Sequence, residues 1–338
     1  MQNSFFSMES DKSLPAGEQH TEQPLNAQQA GVQNQSTQQH QLVTELIMVN
    51  MADFLSMDLP ERGFLLEPVI PTQGIVILYA PRGIGKIFTA LSMSLAVAGG
   101  LSLYNWRASK PSKVLYVDGE MPAITMQERL KALACGMAAP ESAMRNLSLI
   151  TPDMQNRPMP DLATAAGQKA LEPFLSDIDL LILDNISTLC RTGKKNESQS
   201  WQPMQTWLLD LRRRGIAVLL VHHAGKSGDQ RGTSAREDIM DTVISLRRPK
   251  VYNMAEGARF QIHLTKARSI TGKDALPFEV HLKSENNILH WDIFEIQEAE
   301  LEQLKKLLSE GYSIRECAEE MGLSKSTAHR LKKKLEAE

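Results

Sequence analysis

The chain has 338 residues, 42% of them hydrophobic and 23% charged, with a formal net charge of −3. A domain takes roughly 100–200 residues, so two or three fit, and so ordinary a composition excludes a fully disordered or fibrous chain. The near-neutral total excludes a globally basic nucleic-acid binder, so contact with DNA has to come from local patches.

The charge is unevenly spread: residues 1–45 carry −4, residues 46–296 carry +2 and residues 297–338 carry −1. Ten of the first 41 residues are Gln, and the few apolar residues among them show no period. Such a segment buries too little surface to offset the entropy of ordering it, so residues 1–45 are expected to be a disordered tail. Cys135, Cys190 and Cys317 are odd in number and far apart, which fits neither a disulfide framework nor a Cys-x-x-Cys metal site and points to a reducing cytoplasm. The opening MQNSFFSMESDK has no basic leader followed by an apolar run, so no secretory signal is read. The most apolar stretch, 90–104, is interrupted by Ser92, Ser94, Gly99 and Gly100 and falls short of the about 20 residues a membrane span needs. It is read as a buried helix, with no membrane partner.

From about Asn50 short apolar runs alternate with helical patterns. Strands are expected at 74–79, 113–118, 180–184 and 217–222, with helices at 86–97, 123–134, 164–175 and 201–214 between them. Continuous apolar strands separated by helices indicate a parallel sheet covered on both faces. Closely spaced strands at 241–246, 259–265, 278–282 and 288–291 suggest an antiparallel extension of that sheet. The fold class for residues 46–296 is therefore α/β with a mixed sheet. Residues 297–338 read differently: an amphipathic helix over 298–308, then Gly311, then a helix-turn-helix pattern with helices at 314–321 and 325–335 and Ser324 as the second N-cap.

The strongest chemical signal is Ala80-Pro81-Arg82-Gly83-Ile84-Gly85-Lys86-Ile87, between an expected strand and an expected helix. A loop there turns backbone N–H groups inward at a helix N-terminus, where anions are favoured. Gly83 and Gly85 let the backbone approach phosphate, and Lys86 reaches the β- and γ-phosphates of ATP. Against the pattern GxxxxGK[ST], Ala80 stands for the first Gly and Ile87 for the Ser/Thr that ligates Mg²⁺. Ala80 is mild if its φ is ordinary; Ile87 is not, because an alkyl group binds no metal. Thr89 would sit about 200° further round the helix and is a poor substitute.

After the second strand comes Asp118-Gly119-Glu120, where Glu120 is expected to polarise the attacking water and Asp118 to support the strand end. Leu180–Asp184 is four apolar residues ending in Asp, so Asp184 would orient Mg²⁺ through water. The fourth strand ends in His222 and His223, either of which can sense the γ-phosphate; adjacent strand residues face opposite ways, so the pair does not chelate one metal.

In this order the motifs APRGIGK, VLYVDGEMP, LLILDN and VLLVHHAGKSGDQRGTSA, with Leu264-Thr265-Lys266-Ala267-Arg268, resemble the RecA-like ATPases. Over about residues 50–292 the chain is similar in particular to the RepA-type hexameric replicative helicases of plasmids and related mobile-element ATPases. That resemblance implies a ring of identical subunits, with nucleotide between subunits and Lys266 and Arg268 reaching the neighbour's γ-phosphate. It further implies that the 225–235 loop, with Lys226 and Arg231, faces single-stranded DNA in a central channel; the 191–200 loop, with Lys194 and Lys195, is a second channel candidate. No aromatic residue lies in 225–235, so base stacking is not expected there.

Residues 313–331 resemble the helix-turn-helix of resolvases. Ala318 is small where two helices would cross, Gly322 supplies the turn, and Ile314, Met321, Leu323 and Leu331 would form the core. Lys325, Ser326, Thr327, His329 and Arg330 stand at the exposed start of the second helix, where bases or phosphates of duplex DNA would be met. Three helices of this size also serve as protein-docking modules. The leading expectation is a cytoplasmic, ring-forming, helicase-like ATPase using ATP and Mg²⁺ in replication of a plasmid or other mobile element. The alternative is a nucleotide-regulated DNA adaptor in which Ile87 has damaged hydrolysis.

Overall fold

The structure, a computed structural model, describes residues 46–59, 61–192, 201–224, 237–249 and 252–335. The tail 1–45 and the expected DNA-facing residues Lys194, Lys195, Lys226 and Arg231 lie outside the described residues. Residues 46–59 stand by themselves, with a short helix α1 (Met51–Ser56) capped by the Asn50 side chain on the Asp53 N–H and no buried residue.

In chain order the rest comprises β1 (Phe64–Leu66), β2 (Ile70–Pro71), β3 (Ile75–Ala80), α2 (Lys86–Gly99), β4 (Ser102–Leu103), β5 (Trp106–Arg107), β6 (Val114–Asp118) and α3 (Ala123–Gly136). It continues with α4 (Glu141–Asn146), β7 (Leu147–Ile150), α5 (Ala165–Leu171), β8 (Leu180–Asp184), α6 (Ile186–Leu189), α7 (Gln202–Arg213) and β9 (Ala217–His223). Then come β10 (Thr242–Arg247), β11 (Arg259–Ala267), β12 (Phe278–Glu285), β13 (Ile288–Glu295), α8 (Ile296–Ser309), α9 (Ile314–Glu320) and α10 (Lys325–Leu335).

Among the described residues nine strands form one sheet in the order β13-β12-β11-β10-β3-β9-β8-β6-β7. The six from β10 to β7 pair in parallel. Strands β11, β12 and β13 continue it antiparallel. The mixed α/β sheet expected from the sequence is the sheet found, with one correction: β10 was grouped with the antiparallel strands but runs parallel to β3. Its spacing in sequence resembled its antiparallel successors, and spacing carries no direction.

The continuous apolar runs have the reason proposed for them. Along β3, Val76, Leu78 and Ala80 join a core with α2, while Ile75, Ile77 and Tyr79 join a second core with Trp207, Leu208 and Leu211 of α7. Period-two side chains on a sheet buried on both faces make every position apolar. Tyr104, Trp106, Phe278, Phe260 and Trp291 meet edge to face at centroid distances of 5.2–5.9 Å, and Trp291 Nε1 donates to Ser92 Oγ at 2.9 Å. This cluster fastens the antiparallel strands to α2.

The last three helices have a core of their own, built from Leu301, Leu304, Leu307, Cys317, Met321 and Leu331, with Ile314 and Leu323 against it. Ser313 and Glu316 form a reciprocal capping box at α9. Ser324 Oγ accepts from the Thr327 N–H at 3.2 Å, the expected N-cap of α10. Among the described residues no helix is long and apolar enough to cross a membrane.

Candidate functional site

In open parallel sheets, ligands bind beyond the carboxyl ends of the strands. Four such ends are brought level here: Asp118 of β6 opposite Asp184 of β8, Asp184 opposite Val221 of β9, and His223 of β9 opposite Ala80 of β3. Immediately beyond them the chain 81–85 turns into α2. Gly83 and Gly85 have φ of 72° and 121°, the left-handed side that glycine enters without strain. Gly85 also has no room for a side chain: a Cβ there would lie 2.6 Å from Phe260 Cε1. Ala80 keeps an ordinary strand conformation, so its replacement of glycine costs the loop nothing.

A cavity of about 540 Å³ opens between loop and strand ends, lined by Arg82, Gly83, Gly85, Lys86, Ile87 and Phe88 from the loop side, and by Glu120, Arg129, His223 and Ala258 opposite. Small-molecule pockets run from about 300 to about 1,000 Å³. Of the residues expected from the sequence, Lys86, Ile87, Glu120 and His223 thus share one cavity. His222 faces the other way and is buried. Pro81 and the fully buried Ile84 belong to the loop framework rather than to the cavity lining.

Lys86 Nζ lies 2.9 Å from His223 Nδ1. Burial lowers the affinity of Lys86 for its proton, Asp184 and Glu120 oppose that shift, and Arg82 adds to it. Asp184 is 2% exposed, and its Oδ2 accepts from Tyr116 Oη at 2.6 Å. Burial raises its carboxyl while the Tyr116 hydrogen bond and Lys86 pull it down. Asp118 accepts from the backbone N–H groups of Met121 at 2.6 Å and Glu120 at 3.1 Å, so it shapes the turn that presents Glu120 to the cavity.

Burial, with Asp184 adding to it, pushes the Asp118 carboxyl up to about 7 against those two N–H bonds. A carboxyl raised on folding contributes stability that is complete below its ordinary value and lost as pH climbs through the raised one. Between about pH 5 and about pH 8 the native Tm is therefore expected to fall further than that of Asp118→Asn, whose amide has no proton to lose. Thermal melts across that range check it, and equal falls would contradict it.

The sequence reading missed three participants. Arg129 of α3 enters the cavity with its guanidinium carbon 4.9 Å from the centroid of Phe88. Arg248 donates to the Gly83 carbonyl at 2.8 Å and stacks 3.7 Å above Tyr252, bracing the loop. Tyr116 supplies the hydroxyl on Asp184. Arg129 with Phe88, Arg248 with Gly83 and Tyr116 with Asp184 each join residues distant in sequence, which no local pattern reports.

For Mg²⁺ the donor chemistry is poor. Ile87 brings an alkyl group to the position after Lys86. Thr89 is fully buried and its Oγ1 is turned to the Gly85 carbonyl at 3.4 Å. Among the described residues no group of three or more His, Cys, Asp or Glu side chains converges on a metal position. The loop fits phosphate, while the position after Lys86 supplies no oxygen for an inner-sphere divalent metal.

Lys266 and Arg268 lie elsewhere. Lys266 pairs with Val243 in the sheet, and the Arg268 N–H donates to Asp241, whose own N–H donates to Ile75 at the start of β3. They lie toward the end of the sheet opposite the 81–85 loop, Lys266 level with Ile77 and Arg268 near Ile75, so roughly 10 Å and roughly 16 Å before Ala80 along the strand direction. They do point together: Lys266 Nζ donates to the Glu237 carbonyl and Arg268 Nη2 to the Asp238 carbonyl at 2.7 Å. In the C-terminal helices Lys325, Ser326, His329 and Arg330 are exposed and Thr327 is half-buried, while Ala318 and Ala328 are buried where α9 and α10 cross.

Two solved structures are similar to part of the chain. The crystal structure of the RadB recombinase is 16% identical with a TM-score of 0.45, over 65% of this chain and 90% of that chain. The crystal structure of the flagellar accessory protein FlaH from Methanocaldococcus jannaschii is 10% identical with a TM-score of 0.46, over 66% of this chain and 91% of that one. Residues 295–337 match the helix-turn-helix domain of resolvase, where the sequence placed one. Residues 38–229, more than half of the chain, match the AAA domain. With a mixed α/β sheet under this match and a helix-turn-helix behind it, the chain belongs to the AAA domain family.

Proposed function

We propose that this protein is an ATP-binding and ATP-hydrolysing motor on DNA, a ring-forming helicase-like ATPase serving replication or maintenance of a plasmid or other mobile element. The observation that carries the ATPase reading is the convergence of Lys86, Glu120 and His223 on one cavity beside the 81–85 loop. The loop amides and Lys86 hold the phosphates. Glu120 takes a proton from the attacking water as the bond from the γ-phosphorus to ADP breaks, and His223, beside Lys86, responds to the γ-phosphate. Lys266 and Arg268, too far from their own loop, act on the site of a neighbouring subunit. The mobile-element setting and the hexamer rest on the sequence resemblance alone.

DNA is met in two ways in this reading. Lys226 and Arg231 bind single-stranded DNA in the ring, and Lys325, Ser326, Thr327 and Arg330 bind duplex DNA, residues 297–338 acting as a separate module attached to the 46–296 core. Cys135, Cys190 and Cys317 form no disulfide among the described residues, and a reducing cytoplasm is the compartment proposed.

A second reading, a nucleotide-regulated DNA adaptor without useful hydrolysis, is favoured by one observation: Ile87 stands where an Mg²⁺ ligand is expected, and Thr89 is committed elsewhere. Phosphate release with and without single-stranded DNA, for the native chain, Lys86→Ala and Ile87→Thr, separates the two. DNA-stimulated turnover lost in Lys86→Ala is expected and sinks the adaptor. A native rate no higher than that of Lys86→Ala, rescued by Ile87→Thr, sinks the motor.

A further inference from the structure

Three cations, Arg82, Lys86 and Arg129, line the cavity beside the phosphate loop, against the one carboxylate of Glu120. Arg129 is held in place: its guanidinium lies over the Phe88 ring, and its Nη1 donates to Met121 Sδ at 3.8 Å. Phe88 and Met121 both border the turn structures that build the site, so the guanidinium is fixed from two sides. Burial raises the Asp184 carboxyl, and Arg129 is among the cations that oppose the rise, as a charge on the Asp184 side of the cavity does.

A triphosphate brings several negative charges into a cleft where uncompensated charge is costly. Mg²⁺ usually meets part of that cost, but here the position after Lys86 offers no oxygen, and Asp184 Oδ2 is already bonded to Tyr116. A guanidinium is planar, always charged and suited to two parallel hydrogen bonds with phosphate oxygens. Stacking on Phe88 lowers the entropy lost when it engages them.

We propose that this chain binds the triphosphate without needing a protein-held metal, with the Arg129 guanidinium supplying at the phosphates the positive charge that an inner-sphere Mg²⁺ supplies in sites with Ser or Thr after the lysine. This rests on the nucleotide-binding reading above and is independent of whether the bound nucleotide is hydrolysed. It makes Arg129 a ligand-binding residue, and it makes the Ile87 substitution a feature of a rebuilt site.

Calorimetric titration of ATP into the full chain, in Mg²⁺ and in EDTA, tests it. The native Kd is expected to change by less than about threefold between the two buffers. Arg129→Gln is expected to weaken binding in EDTA by about tenfold or more, the loss expected for a charge-assisted phosphate contact. Arg129→Lys, which keeps the charge, is expected to retain more affinity in EDTA than Arg129→Gln, and Ile87→Thr is expected to bind more tightly in Mg²⁺ than in EDTA. Circular-dichroism melts confirm that the variants are folded. A native affinity that falls tenfold or more in EDTA would overturn metal independence, and a folded Arg129→Gln with native affinity in EDTA would overturn the role of Arg129. No saturable binding in either buffer, or binding unchanged in Lys86→Ala, would instead sink the nucleotide site itself, so the two failures are distinct.

Discussion

Arg268→Ala is expected to lower ATP turnover by about 10³-fold or more while leaving the ATP affinity of the isolated chain within about twofold, the split expected of an arginine supplied in trans. The reason is position. Arg268 is hydrogen-bonded to the Asp238 carbonyl at the end of the sheet remote from the loop. It cannot reach phosphates held by its own Lys86, so removing it leaves binding intact and removes only charge stabilisation delivered by a neighbour. Mixing gives the sharper readout. Arg268→Ala and Glu120→Gln each silence the chain alone, but an interface between them pairs an intact Glu120 with an intact Arg268. Turnover regained on mixing, well above either variant alone, is the expected outcome. A mixture as silent as its parts, although the chains co-assemble, would return Arg268 to a structural role.

Gly85→Ala is expected to abolish nucleotide binding more completely than its single methyl suggests. Two costs add at this position. The φ of 121° lies outside what an L side chain adopts without strain. The new Cβ would also meet the Phe260 ring at 2.6 Å and the Ala258 methyl at 3.1 Å. Phe260 is fully buried against Trp291 in the aromatic cluster, so it cannot simply swing aside, and a displaced ring costs about 1–3 kcal/mol of overpacking. The loop is expected to yield first, because its outer wall is solvent. ATP affinity should fall by about 30-fold or more, with a Tm loss of several degrees, both measurable on the purified chain. Phe260→Leu combined with Gly85→Ala should restore part of the stability and less of the affinity, since it relieves the contact and leaves φ strained. Native affinity in Gly85→Ala would show that the loop conformation is not the phosphate cradle.

Much of this architecture is legible in the sequence because its signals are local. A parallel strand buried on both faces is a short apolar run, and the runs ending at Asp118, Asp184 and His223 were placed to within a residue or two. The helix-turn-helix was legible through a cap, Ser324, a turn glycine, Gly322, and apolar residues at helical spacing. The losses also have physical reasons. Strand β7 was missed because, at the sheet edge, its residues are exposed or half-buried, so no apolar run marks it. Helix 164–175 proved shorter, ending at Leu171 before a 3₁₀ turn at Glu172–Phe174 that contains Pro173. Arg129 was invisible because it is one charge among several on an amphipathic helix, and only the fold decides which of them meets the cleft. Arg248 reaches Gly83 across 165 positions of sequence, a contact that spacing cannot encode. The candidate site was therefore legible where strand ends bear the chemistry and opaque where a helix or a distant loop completes it.

The same contrast explains Ile87. Taken as a motif, it is a defect in a metal-binding loop. Placed in the cavity, it is half-buried against the core below α2, facing a site that already holds three cations. Packing and electrostatics there are consistent with an alkyl group, and a Thr at this position would trade apolar contact for an oxygen.

Equilibrium binding of ATP to the full chain, native against Lys86→Ala, bears most directly on the central claim that the 80–87 loop and the strand ends form a nucleotide site. One ATP per chain is expected for the native protein, with affinity weakened by about 30-fold or more when the Lys86 ammonium is removed. A native chain that binds no ATP, or a folded Lys86→Ala that binds it equally well, would contradict that claim.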